Sequence, residues 1–138
     1  MGRVRCGNLT GRKEETVERI LPQQWIDQWP LDDGSKGMSS HERVDADDGH
    51  PRALATRNRH ALLQTFGNLT ILTQALNSAV SNGPWIAKKP KLLRYSLLPI
   101  NQELHDQEIW DETAIAKRSD ELLARALKLW PRPQTTGA

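Results

Sequence analysis

The chain has 138 residues, of which 37% are hydrophobic and 26% charged, a composition typical of one folded domain rather than of a disordered chain. Its single cysteine, Cys6, excludes an internal disulfide, no Cys/His cluster has zinc-binding spacing, and no apolar run approaches the roughly 20 residues that a bilayer requires. We therefore expect a cytoplasmic protein, and its net charge of only +2 does not by itself identify a partner.

The first predicted element is a strand over residues 16–21, which alternates in polarity. Pro22 ends it, because proline has no donor for the strand ladder. Residues 30–51 are rich in Gly, Ser, Asp and Pro and predict a long mobile loop. Residues 52–65 place apolar side chains at helical spacing, and Gly67 is predicted to end that helix as its C-cap.

A short β-branched run over residues 68–73 predicts a second strand, and a helical pattern over residues 74–80 follows it directly. The local order is therefore strand, long excursion, strand, helix. Pro84 and Pro90 are predicted to bracket one turn of helix, and another short helix is expected around residues 101–105.

The last predicted element is an amphipathic helix over residues 112–130, with Asp111 as its N-cap and Pro131 after its end. The predicted fold class is α+β and mostly helical, with a two-stranded antiparallel hairpin and surrounding helices. The predicted divisions are a basic segment over 1–14, a folded domain over 15–131 and a tail over 132–138.

Positive charge is concentrated in residues 1–13 and 85–94, neither of which contains an Asp or Glu. Both segments are predicted to face phosphates. The acid-rich stretch over residues 27–48 would repel a phosphate backbone and is predicted to point away from DNA.

Three sequence blocks carry a resemblance to a known family: ETVERILPQQW at 15–25, GNLTILTQALNSAVSN at 67–82, and WIAKKPKLLRYSLLPIN at 85–101. Together they resemble the C-terminal domain of GmrSD-type modification-dependent restriction enzymes. The resemblance implies a ββα-metal nuclease of the HNH, or His-Me finger, superfamily. In that family one strand ends in a Glu-His pair, a second begins Gly-Asn-Leu-Thr, and a helix supplies an Asn.

The resemblance implies a role for three residues. Glu18 would be a metal ligand, Asn77 a second ligand from the helix, and Asn68 the residue that braces the loop and strand around the site. Carboxylate and amide oxygens suit Mg²⁺ or Mn²⁺, with water completing the coordination. Taken alone, Glu18 and Asn77 are more typical of a solvated strand carboxylate and a helix-surface amide.

The sequence departs from the family at the position of the general base, where the family's histidine is replaced by Arg19. A guanidinium cannot accept a proton at neutral pH, so Arg19 is able to hold a phosphate but not to activate water. A second family histidine falls on Gln64. The nearest substitute base is His60, one helical turn earlier, although a surface helix residue is the more ordinary interpretation of it.

Lys88 and Lys89 match a basic pair that the family has after the metal-bearing helix, for which phosphate contacts and a plain solvated turn are equally good interpretations. Arg118 matches a family position in the last helix, for which we expect an ion pair. The five tryptophans are expected to serve the core rather than to stack on bases. They are Trp25, Trp29, Trp85, Trp110 and Trp130.

Three functions compete on these observations. The leading hypothesis is a metal-dependent DNA endonuclease module that works with an NTP-dependent N-terminal domain or subunit outside this chain. The alternative is a remnant that binds DNA or its partner without cutting, because Arg19 removes the base. The third is a helical protein-interaction module whose resemblance to the nuclease is accidental.

Overall fold

A computed structural model describes residues 14–133, so the predicted basic segment and the end of the tail lie almost entirely outside the described part. The predicted α+β class is confirmed. The elements in chain order are β1 Glu15–Arg19, α1 Ser40–Asp45, α2 Pro51–Leu62, β2 Leu69–Thr73, α3 Gln74–Val80, α4 Trp85–Tyr95, α5 Pro99–Gln102 and α6 Glu112–Leu129.

The two strands pair as an antiparallel hairpin, as predicted, with Glu15 opposite Thr73 and Arg19 opposite Leu69. Strand β1 ends two residues earlier than the alternation predicts, because Ile20 turns into the core. The Ile20 amide still donates to the Asn68 carbonyl at 2.9 Å, which prolongs the hairpin's contact beyond the ladder.

Helix α3 begins directly after β2 and covers the residues predicted for it. The Thr73 hydroxyl caps it by accepting from the Leu76 amide at 3.3 Å, and Leu76 and Val80 are buried in the core. Because α3 contacts both strands, the order strand, strand, helix forms one packed unit.

The prediction of an irregular, mobile loop over residues 30–51 is wrong in part. Helix α1 lies within it, started by a capping box in which the Ser39 hydroxyl accepts from the Glu42 amide and the Glu42 carboxylate accepts from the Ser39 amide. The rest is tied to helix α2, since the Met38 amide donates to Thr56 Oγ1 at 3.0 Å and the Arg52 guanidinium donates to the Lys36 carbonyl at 2.6 Å. These polar contacts order the backbone of a segment that contains few apolar residues.

The prediction that Pro90 ends a single turn of helix is also wrong, since α4 continues through it to Tyr95. Proline inside a helix removes one hydrogen bond and costs about 3 kcal/mol. Trp85, Lys88 and Leu92 share one buried face of α4, and this packing offsets the cost. The helix predicted around residues 101–105 is α5 followed by a 3₁₀ turn over Glu103–Asp106.

Four of the five tryptophans are buried, as expected, and Trp130 is the exception at 74% exposure. Trp85 and Trp110 pack against each other with ring centroids 5.3 Å apart. Helix α6 has its predicted cap, with Asp111 accepting from the Ala114 amide at 2.8 Å. Its fully buried residues, Ile115 and Arg118, lie in its first half, whereas Leu127 and Leu129 near its end are exposed.

Gly67 has a different role from the C-cap predicted for it. It lies in a 3₁₀ turn over Phe66–Asn68, pressed against the backbone of α6. A β-carbon at this position would overlap the Ile115 carbonyl oxygen and the backbone nitrogen of Ser119. The turn into β2 therefore requires glycine for close packing, not for a left-handed conformation.

We expect Gly67→Ala to lower the free energy of unfolding by about 3 kcal/mol, because the neighbouring atoms belong to a helix backbone that cannot yield. Urea denaturation is the measurement. Gly49→Ala is the matched control, since a β-carbon there would meet only a carboxylate oxygen of Asp47 at 4.0 Å, and its effect should stay within about 0.5 kcal/mol. Equal effects for the two variants would contradict the close packing of Gly67.

Candidate active site

Glu18 and Asn77 lie side by side, although 59 residues separate them along the chain. Asn77 Nδ2 donates to Glu18 Oε2 at 2.8 Å, and Glu18 Oε1 accepts from the Arg19 amide at 3.0 Å. Because the oxygen and nitrogen of one amide are about 2.2 Å apart, Asn77 Oδ1 lies within about 5 Å of Glu18 Oε2. The predicted convergence of these two side chains is observed.

A polar pocket of about 240 Å³ opens over this pair. Three further residues line it, and the sequence reasoning missed all of them: Ser78, Ser81 and Asn82. The available signal was the recurrence of small polar residues close to Asn77, at positions 78, 81 and 82. The pocket therefore offers one carboxylate, two amides and two hydroxyls.

The donors in this pocket determine which ion it can take. Among residues 14–133, no cluster of three or more His, Cys, Asp or Glu side chains is arranged to hold a metal. The five residues that line the pocket carry no imidazole or thiol, so softer ions that prefer nitrogen and sulfur ligands are poorly matched. One carboxylate with neutral oxygens fits a hard cation such as Mg²⁺, which keeps several of its own waters.

Asn68 braces the site as expected, from a position with no solvent exposure. Its amide nitrogen donates to the Leu21 carbonyl at 2.9 Å and to the Leu63 carbonyl at 3.1 Å. Its carbonyl oxygen accepts from the Leu21 amide at 2.8 Å and from Trp110 Nε1 at 3.2 Å. All four hydrogen-bonding positions of the side chain are used, so the exit of β1 is fixed to the entry of β2.

Lys88 lies beneath the end of β1 and is only 2% exposed. Its ammonium donates to the Arg19 carbonyl at 3.1 Å and to the Ile20 carbonyl at 2.9 Å. Burial lowers the pKa of Lys88 to about 8, and the charge of Glu18 partly opposes that shift. This burial does not fit the predicted phosphate contact, whereas Lys89 is half-buried and retains access to solvent.

Arg118 holds the entry of β2 in a similar way. Its guanidinium donates to the Gly67 carbonyl at 2.6 Å and to the Leu69 carbonyl at 2.8 Å. The expectation of an ion pair is wrong, because backbone carbonyls take its hydrogen bonds. Burial lowers the pKa of Arg118 to about 10, which leaves it charged at neutral pH.

Arg19 is half-buried at the end of β1 and does not line the pocket. Its Nε is buried and has no hydrogen-bond partner within the described residues. Because successive side chains of a strand point to opposite faces, Arg19 and Glu18 leave β1 in different directions.

His60 packs its ring edge-on against Trp25, with centroids 5.6 Å apart, and does not line the pocket. Burial and, to a lesser degree, the charge of Arg43 lower the pKa of His60, which favours the neutral imidazole. The protonation state suits a base, but the structure does not bring this residue together with Glu18 and Asn77.

Comparison with known families decides the identity. The family model described as GmrSD restriction endonucleases, C-terminal domain, matches residues 5–125. The chain belongs to this family. The GmrSD match extends from before β1 into the second half of α6 and so includes the whole candidate site.

No significant match to the chain was found among curated proteins or among solved structures. Across residues 14–133, the GmrSD domain has no helix that is both long enough and apolar enough to cross a membrane.

The buried ammonium of Lys88 predicts a pH dependence of stability. Above about pH 8 the folded protein releases this proton, whereas the unfolded chain holds it to about pH 10.5. Between these two pH values the unfolded state binds more protons than the folded state, so the free energy of unfolding rises with pH. This added stability is lost as the pH falls back through about 8.

Lys88→Met removes the titrating ammonium and keeps an unbranched side chain that is one atom shorter. Between pH 8 and 10.5, the unfolding free energy of the native chain should rise relative to this variant by up to about 3 kcal/mol. Urea denaturation across the window measures the difference. Lys91→Met, at an exposed position of the same helix, is the control, and a constant difference for Lys88→Met would contradict the account.

Proposed function

We propose that this chain is a metal-dependent DNA endonuclease module that hydrolyses phosphodiester bonds within a modification-dependent restriction system. Membership of the GmrSD family supports the assignment to the restriction endonucleases. The hydrogen bond from Asn77 Nδ2 to Glu18 Oε2 at 2.8 Å supports the site most directly, because a carboxylate and an amide this close could share one cation.

In this proposal the hairpin and α3 form the ββα-metal core of an HNH nuclease. Glu18 and Asn77 hold Mg²⁺ or Mn²⁺, and Asn68 keeps the two strands in register. A cation in that position would stabilise charge on the scissile phosphate and the leaving oxygen. The chain's own part is to fix Glu18 on the hairpin and Asn77 on helix α3, which packs against that hairpin.

Arg19 favours a second candidate function within the same family. General-base catalysis contributes about 10²- to 10⁴-fold, and a guanidinium at the base position forfeits that contribution. The chain would then bind DNA, or the NTP-dependent N-terminal domain or subunit with which it acts, and cut very slowly. We propose that Arg19 and Lys89 contact DNA phosphates in either case, in the cytoplasm where such systems meet DNA.

A plasmid-nicking time course in Mn²⁺ separates the two functions. The native chain should nick slowly or not at all, and Arg19→His should increase the rate at least about tenfold by restoring the family's histidine at the end of β1. Glu18→Ala in the Arg19→His background is the control for the metal ligand and should abolish the gain. His60→Ala should leave the rate unchanged, because His60 packs on Trp25 outside the pocket.

Fast nicking by the native chain that is lost with Glu18→Ala would reject the impaired function and require another base. No nicking by either chain, with DNA binding retained, would favour the binding function. In the binding measurement, Lys89→Ala should weaken affinity and flatten its salt dependence by about one counterion. Absence of both binding and nicking would contradict the proposal as a whole.

A further inference from the structure

Ser81 adopts a backbone conformation that serine rarely takes. Its φ is 34° and its ψ is −134°, and the Gly83 amide donates to the Val80 carbonyl at 3.2 Å. These angles and this bond describe a type II′ turn with Ser81 at the position that favours glycine. Within residues 14–133 it is the one non-glycine residue with positive φ. At Gly34, where φ is 80°, the chain uses glycine.

The strained turn borders the candidate active site. Ser81 lines the same pocket as Glu18 and Asn77, and its amide donates to the Asn77 carbonyl at 2.8 Å. The hydroxyl of Ser78 is already bonded to the Gln74 carbonyl at 3.0 Å. The hydroxyl of Ser81 has no partner among the described residues.

Glycine would relieve the backbone strain at this position. The presence of serine therefore points to a function for its hydroxyl. Strained residues persist when the surroundings impose them, and they cluster at functional sites. A cation held by one carboxylate keeps several waters, and each water needs hydrogen-bond partners beyond the metal. The polar groups at this edge of the pocket are the Ser81 hydroxyl and the Asn82 amide.

We propose that Ser81, together with Asn82, hydrogen-bonds the water shell of a divalent cation held by Glu18 and Asn77. This inference rests on the proposed function and adds two positioning residues to it. Ser81 contributes through its hydroxyl, and the strain of its backbone is the cost of placing that hydroxyl at the pocket edge.

Two substitutions separate the hydroxyl from the backbone. Ser81→Gly removes both the hydroxyl and the strain, so it should raise the Tm by about 3 °C while weakening Mn²⁺ binding about tenfold. Ser81→Ala removes the hydroxyl and keeps the strain, so it should weaken Mn²⁺ binding similarly without the gain in Tm. Isothermal titration with Mn²⁺ and thermal unfolding of the full chain measure both quantities.

Gly34→Ser and Glu18→Ala are the matched controls. Gly34→Ser introduces serine at positive φ away from the pocket, and it should lower the Tm and leave Mn²⁺ affinity unchanged. Glu18→Ala should abolish binding. If Glu18→Ala abolishes binding but both Ser81 variants keep native affinity, the inference is wrong and the proposed function stands. If Ser81→Gly alone weakens binding, the hydroxyl has no role. If the native chain does not bind Mn²⁺, both fail.

Discussion

The side-chain amide of Asn68 is the interaction on which the hairpin and its site depend. A buried amide that lacks even one partner costs about 1–3 kcal/mol, and here all four partners are present. Two of them belong to Leu21, where the chain leaves β1, and the others come from Leu63 and Trp110. The amide therefore fixes the relative position of β1, the end of α2 and the segment that leads into α6.

Two buried, positively charged side chains also hold the strands in place. Lys88 binds the carbonyls at the end of β1, and Arg118 binds those at the start of β2. Burying a charge is costly unless hydrogen bonds satisfy it, and carbonyls with no ladder partner serve that purpose. A two-stranded hairpin is marginal by itself, so these contacts from α4 and α6 give Glu18 a rigid support.

The sequence predicts those elements whose signals are local. Strand β2 and helix α3 follow from a change in periodicity, and the start of α6 follows from its Asp111 cap. The buried roles of Lys88 and Arg118 could not be predicted, because each depends on carbonyls about 50 to 70 residues away. Helix α1 was missed because a capping box, not apolar periodicity, starts it. Glu18, Asn68 and Asn77 could be identified from the sequence only through the resemblance to the family. Ser81 could be identified only from the backbone angles of the folded turn.

The central claim is that this hairpin and helix α3 together present Glu18 and Asn77 to one hard cation. Anomalous diffraction from crystals soaked in Mn²⁺ tests it most directly. The account predicts a peak in the pocket beside α3, roughly 2–2.5 Å from side-chain oxygens of both residues. A map with no peak there, or with manganese only on exposed carboxylates such as those of Asp47 and Asp48, would contradict it.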